Sequence, residues 1–306
     1  MEEKIVLSTI VYPVPSSEAN VLLLAESIRA RAGALSQARI WCYSPQYGKD
    51  ISPATKRKLH ELNVELRPFE IDRDVLRFFF TAGITAASLA ESEARDQAEF
   101  LAWVDSNTIV LQEPRDFLLQ EDKSLGFRPV HHTLVGSRYD EALDPFWKLV
   151  YGCCGVPEAH VFPMTTHVDG VRIRPYVNAG LLIARPEKGL LQAWYDRFFQ
   201  VYQSPEFQEF YEQDGRYPIF AHQAILTGVL LSALAPDEMQ ELPPTYNYPL
   251  HLYDEDVTGC RPARLDEMVT CRHEGLASAL EVIDRIPAEA SLKQWLTGLI
   301  IPQAHE

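Results

Sequence analysis

Residues 100–111 read Phe100-Leu101-Ala102-Trp103-Val104-Asp105-Ser106-Asn107-Thr108-Ile109-Val110-Leu111. The unbroken apolar run over 100–104 predicts a strand buried on both faces, as in a parallel sheet covered by helices. A carboxylate follows the run, and a carboxamide stands two residues further on. In an extended segment residues two apart point the same way, so Asp105 and Asn107 can converge on one ligand. Ligands of open α/β sheets bind at the carboxyl ends of the strands. A hard cation such as Mg²⁺ or Mn²⁺ takes oxygen ligands of this kind. Asp and Asn also suit an ordinary strand-to-turn junction, so the stretch alone leaves both readings open.

Strand and helix patterns alternate upstream of it. Residues 4–11 are β-branched and apolar. Residues 16–32 carry Val21, Leu24 and Ile28 at helical spacing, with Ser16 or Ser17 expected as cap and Gly33 as the stop. Residues 38–43 predict a second strand, Ser52-Pro53 opens a helix to about residue 62, 64–71 predict a third strand, and 81–98 are helical. This alternation predicts a mostly parallel sheet with helices on its faces. Downstream, residues 116–175 show no clean period. Residues 176–184 predict another buried strand, 189–202 and 221–234 helices, 269–272 a last strand and 291–300 a C-terminal helix. No repeat or linker divides the chain, so one domain spanning 1–306 is expected.

The composition narrows the function. With 46% apolar and 23% charged residues over 306, the chain is globular. Lys+Arg 28 against Asp+Glu 43 gives a net charge of -15. Such a surface repels nucleic acid and anionic lipid, and any diphosphate site on it must bring a cation or clustered Arg and Lys. No apolar run is long enough to predict a membrane span. The acidic start lacks the features of a signal peptide, and the odd count of five cysteines suits reduced thiols, so a cytoplasmic location is expected. GxGxxG, P-loop, GxSxG and HExxH motifs are all missing, which counts against dehydrogenase, kinase, serine hydrolase and zincin.

Four further stretches hold polar residues at special places: Tyr176-Val177-Asn178-Ala179-Gly180-Leu181-Leu182-Ile183, His222-Gln223, Leu242-Pro243-Pro244-Thr245-Tyr246-Asn247, and Cys271-Arg272-His273-Glu274-Gly275. An Asn in an apolar strand must have its donors and acceptor satisfied, and a glycine beside it permits close approach. Singly each has a plain structural reading: a bulge, a solvated helix start, a structural histidine. The triplet Phe78-Phe79-Phe80 reads as core, Arg172 and Arg174 as solvated rim, and His131, His132, His160 and His167 fit no zinc spacing.

Taken in order, VDSNTIVLQEP, YVNAGLLI, HQAIL, LPPTYN and CRHEG resemble the glycogenin-like family 8 glycosyltransferases over roughly residues 1–280. The resemblance implies the GT-A fold, a mixed, mostly parallel sheet flanked by helices, with a nucleotide-binding half (1–112), an acceptor-side half (113–280) and a helical tail (281–306). It implies an enzyme that moves a sugar from a nucleotide-diphosphate sugar, a UDP-sugar foremost, to an acceptor the sequence does not identify. Mn²⁺ or Mg²⁺ is the implied cofactor. Asp105 and Asn107 match the metal-binding Asp-x-Asp, and His273 the late histidine that completes the metal sphere. Asn178 and Gln223 match positions lining the donor sugar, with His222 beside them at the reaction centre. Thr9 and Tyr12, closing the first strand, match where the nucleoside is held, next to Asp105. Two positions depart from the pattern: Asn107 stands for the second Asp, and His222 for the Asp of an Asp-Gln pair. Those departures make a non-catalytic GT-A-like binder the alternative. A sugar-1-phosphate nucleotidyltransferase would want Gly and basic residues in 11–18, which has neither. Asn107→Asp, being nearly isosteric, is expected to leave the packing unharmed.

Overall fold

The computed structural model describes residues 3–304. Among the described residues the strands are β1 (Glu3–Ile10), β2 (Arg39–Gln46), β3 (Val64–Glu70), β4 (Ala98–Val104), β5 (Thr108–Val110), β6 (Leu125–Pro129), β7 (Met164–Thr165), β8 (Arg172–Ile173), β9 (Val177–Ala184), β10 (Met239–Glu241), β11 (Tyr248–Pro249) and β12 (Thr270–Arg272). The helices are α1 (Pro15–Arg31), α2 (Pro53–Glu61), α3 (Thr81–Ala94), α4 (Pro145–Cys154), α5 (Leu190–Val201), α6 (Pro205–Gln213), α7 (Arg216–Ala233), α8 (Leu276–Arg285) and α9 (Ala290–Ala304).

Seven strands form the main sheet in the order β10-β6-β9-β4-β1-β2-β3. The pairs β1–β2, β1–β4, β2–β3 and β6–β10 are parallel, and β9 alone runs against its neighbours β4 and β6. The sheet is therefore mixed and mostly parallel. Alternate residues of β1 face opposite cores: Ile5 and Leu7 pack with Val21, Leu24 and Ile28 of α1, whereas Val6 and Ile10 pack with Ala86, Ala90 and the α5–α7 side chains. A third apolar cluster joins Ile109 and Cys271 to Ala279, Val282 and Leu296 of the last two helices.

The expected βαβ alternation is present, with differences at particular ends. Ser52 caps α2, its side chain accepting from the Thr55 amide. Neither Ser16 nor Ser17 caps α1: the N-cap is Val14, and Ser17 Oγ instead accepts the Tyr12 amide at 2.9 Å. Residues 116–175 are less irregular than expected, for they hold β6 and α4. Asp144 accepts from the Phe146 and Trp147 amides and Pro145 sits in the first turn, a well-built helix start.

Two consequences of this topology position the site. β1 lies between β4 and β2, so the chain leaves β1 on one side and returns on the other, opening a crevice at their carboxyl ends. Because β9 is antiparallel to β4, its beginning, with Asn178, lies at the edge where β4 ends in Asp105.

Candidate active site

Asp105 leaves β4 with its amide donating to the Gly180 carbonyl at 2.9 Å, which joins the ends of β4 and β9. The short strand β5 then pairs antiparallel with β12, setting Thr108 against Arg272. One residue earlier the backbones meet again, the His273 amide donating to the Asn107 carbonyl at 3.0 Å. The Asn107 side chain reinforces that clasp: Nδ2 donates to the His273 carbonyl at 2.7 Å, while Oδ1 is buried without a partner.

A cavity of about 540 Å³ opens at this edge, and Tyr12, Asp105, Asn107, Asn178, His222 and Gln223 all line it. Six of the eight residues expected at the site are thus brought together. Asn178 Oδ1 accepts from the Gly180 amide at 2.8 Å and from Asn247 Nδ2 at 3.2 Å, so the carboxamide is held from two sides. Gln223 Oε1 accepts the Ala179 amide at 2.9 Å. His222 Nδ1 meets the Ile219 carbonyl at 2.8 Å and therefore carries the proton. Its Nε2 has no protein partner among the described residues, which leaves an acceptor for a ligand. Burial, foremost, lowers the His222 pKa to about 3, so the ring is neutral at ordinary pH.

Two expected residues lie elsewhere. Thr9 is buried in β1 opposite Cys42 and lines neither of the two cavities at this end of the sheet. His273 lines a neighbouring cavity of about 930 Å³ between α1, α2 and α8, and both of its ring nitrogens are buried without partners. The reason is the pleat. Successive residues of an extended segment face opposite ways, so His273 and Arg272 cannot both look toward Asp105. Arg272 is the one that does: Nη1 lies 3.1 Å from Asp105 Oδ2, and Nε lies 3.3 Å from Glu274 Oε1. The placement of Gly180 follows from the same cluster. A Cβ on it would lie 2.7 Å from Arg272 Nη1, 2.8 Å from Asp105 Oδ2 and 3.0 Å from Asn178 Oδ1.

Arg272 and Phe80 are among the lining residues that the sequence did not single out for the site. The alternation of side chains along an extended strand could have found Arg272. Phe78 does join the core, packing on Phe198, Tyr202 and Tyr211, but Phe79 and Phe80 are exposed. Phe80 sits at φ 63°, left-handed for a bulky side chain, and stacks on His222 with ring centroids 4.1 Å apart. Strained residues of this kind concentrate at ligand sites.

Whether the cluster suits a divalent cation turns on its donor set. Asn107 Oδ1 is an orphaned acceptor, which favours one. Three features oppose it: the second expected carboxylate is a neutral amide, His273 is in another cavity, and a guanidinium already pairs with Asp105. Among the described residues no three His, Cys, Asp or Glu side chains gather to hold a metal. The donor set does not fit a hard cation, which selects anionic oxygens and is repelled by a neighbouring positive charge.

A mixed, mostly parallel α/β sheet with a cavity of about 540 Å³ at the carboxyl ends of its strands is the architecture of a GT-A-type glycosyltransferase. A family model described as the Rhodobacterales glycosyltransferase domain matches residues 8–226, and the chain belongs to that family. It is therefore a transferase enzyme. Among solved structures, the chain is similar to the galactosyltransferase LgtC in complex with donor and acceptor sugar analogues (TM-score 0.54, 14% identity, 97% of this chain and 95% of that one). It is also similar to the apo form of the bifunctional glycosyltransferase WbbM (TM-score 0.50, 13% identity, 98% of this chain and 52% of that one). At such identities the likeness shows the fold. No curated protein matches the chain. Among the described residues no helix is long and apolar enough to cross a membrane.

Proposed function

We propose that this glycosyltransferase draws its sugar from a nucleoside-diphosphate sugar, a UDP-sugar foremost, bound in the 540 Å³ cavity, and that its kinship is with the glycogenin-like family 8. The observation that carries this is the convergence of Tyr12, Asp105, Asn178, His222 and Gln223 on one cavity at the carboxyl ends of β1 and β4. The likeness to LgtC, whose structure is a complex with donor and acceptor sugar analogues, supports the donor class.

In this reading Tyr12 forms the nucleoside wall, the diphosphate lies at the Asp105 end, and Asn178 and Gln223 line the sugar. Their carbonyl oxygens are tied to backbone amides and to Asn247, which fixes the carboxamide planes. His222, neutral and stacked on Phe80, offers Nε2 to a hydroxyl. In transfer the bond from the anomeric carbon to the β-phosphate oxygen breaks, and its electron pair stays on the diphosphate. The acceptor hydroxyl oxygen bonds to that carbon, and its proton passes to water. The protein contributes positioning and stabilisation of the departing charge.

A thermal-shift panel of UDP-, GDP-, dTDP- and CDP-sugars tests the reading. A donor at 100 times its dissociation constant adds about 2.7 kcal/mol to stability and raises the melting temperature. A panel in which no sugar nucleotide moves the transition overturns it.

A further inference from the structure

We propose that the guanidinium of Arg272, rather than a divalent cation, supplies the positive charge that holds the donor diphosphate, so that donor binding is metal-independent. The inference rests on the nucleoside-diphosphate-sugar reading above.

A diphosphate brings two or more negative charges to a chain of net charge -15. Something positive must meet it, and among the described residues Arg272 is the one Lys or Arg lining the cavity. It is held ready for the task. Asp105 pairs with Nη1 as an ion pair and Glu274 accepts from Nε, while Nη2 has no protein partner among the described residues. The two carboxylates thus hold the planar group at two of its three nitrogens and leave Nη2 for a ligand. A guanidinium held in this way presents its remaining N–H groups to a phosphate oxygen in a fixed direction, which the rotatable ammonium of a lysine cannot do.

The surroundings agree with an arginine at this spot. Gly180 leaves the space in which Nη1 sits, since a Cβ there would lie 2.7 Å from that nitrogen. The neutral amide at 107 removes a carboxylate that a guanidinium does not need, and turns its Nδ2 to the His273 carbonyl instead. The strand pleat sends His273 away from the cavity that Arg272 enters. Asp105 then acts as the anchor of the arginine.

Arg272 contributes to the reaction as well as to binding. When the bond to the anomeric carbon breaks, the electron pair moves onto the β-phosphate oxygen. A fixed guanidinium beside that oxygen stabilises the added charge without reorganising.

The test is calorimetric titration of the purified chain with UDP, GDP, dTDP and CDP, in EDTA and in Mn²⁺. The expected result is that one of them binds in EDTA with an affinity within about threefold of that in Mn²⁺. Arg272→Gln then weakens it by about tenfold or more, equal to ~1.4 kcal/mol. Arg272→Lys, which keeps the charge but loses the fixed direction of its N–H groups, falls between the two and remains informative if the glutamine variant does not fold. Binding that requires Mn²⁺ overturns this inference and leaves the donor reading intact. Unchanged affinity of a folded Arg272→Gln variant in EDTA also overturns it. Failure of all four nucleotides in both buffers overturns the donor reading and this inference with it.

Discussion

Nη1 of Arg272 lies 3.1 Å from Oδ2 of Asp105, so the carboxylate that ends the central strand is paired with a cation the chain itself supplies. Burial raises the Asp105 pKa and the arginine opposes that rise, which makes the pair interdependent. Removing one partner of such a pair is more harmful than its net worth suggests, because the other is left uncompensated.

Gly180→Ala tests whether that pair has room to yield. The new Cβ would press on Arg272, Asp105 and Asn178 together at 2.7–3.0 Å. The expected outcome is a loss of ~1–3 kcal/mol in urea unfolding, typical of overpacking. Nucleotide affinity in titration should fall at least about tenfold. Wild-type affinity in the variant would mean that the guanidinium can move aside freely.

Asn107→Asp is not the harmless isosteric change that sequence alone suggested. The amide Nδ2 donates to the His273 carbonyl, and a carboxylate would set oxygen against oxygen there. Stability should fall by ~1–3 kcal/mol, the cost of an unmatched buried polar group. Chemical denaturation at neutral pH measures it. An unchanged midpoint would show that the clasp between β5 and β12 does not depend on this hydrogen bond.

Acid should unfold the protein through its buried histidines. Burial lowers His167 and His222 to about 3 and His273 to about 4, below the ordinary 6.5. Between those values the unfolded chain binds protons that the folded one does not. Stability is therefore flat above about pH 7 on their account and falls as pH drops below about 6, by ~1.4 kcal/mol per proton per pH unit. Glu91 works the other way, because burial raises it to about 7 and the folded state then holds its proton longer. Burial lowers His131 and His251 as well, and these five histidines outnumber the four carboxyls that burial raises, Glu26, Glu91, Asp105 and Glu241, so urea midpoints should drop from pH 7 to pH 5. His222→Gln should lessen the drop by about one proton. A midpoint independent of pH over that range would contradict the burial of these rings.

The first half of the fold was legible because each element repeats one period cleanly and breaks at Gly33 or Ser52-Pro53. β6 was not, since Leu125-Gly126-Phe127-Arg128-Pro129 holds a glycine, a charge and a proline. The charge is accommodated only in three dimensions, where Arg128 pairs with Glu241 and bonds the Leu242 carbonyl. α4 was hidden by its aromatic and cysteine content, although Asp144, Pro145 and Gly155 mark both ends. At the site, Asp105, Asn178 and Gln223 were readable from order along the chain. Arg272 was passed over for His273, since a histidine is the more familiar metal ligand, and only the pleat of β12 decides which of the two meets Asp105.

The most direct test of the whole account is turnover in EDTA. Purified wild-type chain is incubated with UDP-, GDP-, dTDP- and CDP-sugars, and release of nucleoside diphosphate is followed by donor hydrolysis or transfer. The account predicts that one donor is consumed, that replacing EDTA by Mn²⁺ changes kcat by no more than about twofold, and that Arg272→Gln lowers kcat by about 10²-fold, as loss of a preorganised charge-stabilising group does. Turnover only in the presence of Mn²⁺, or no consumption of any donor in either buffer, would contradict it.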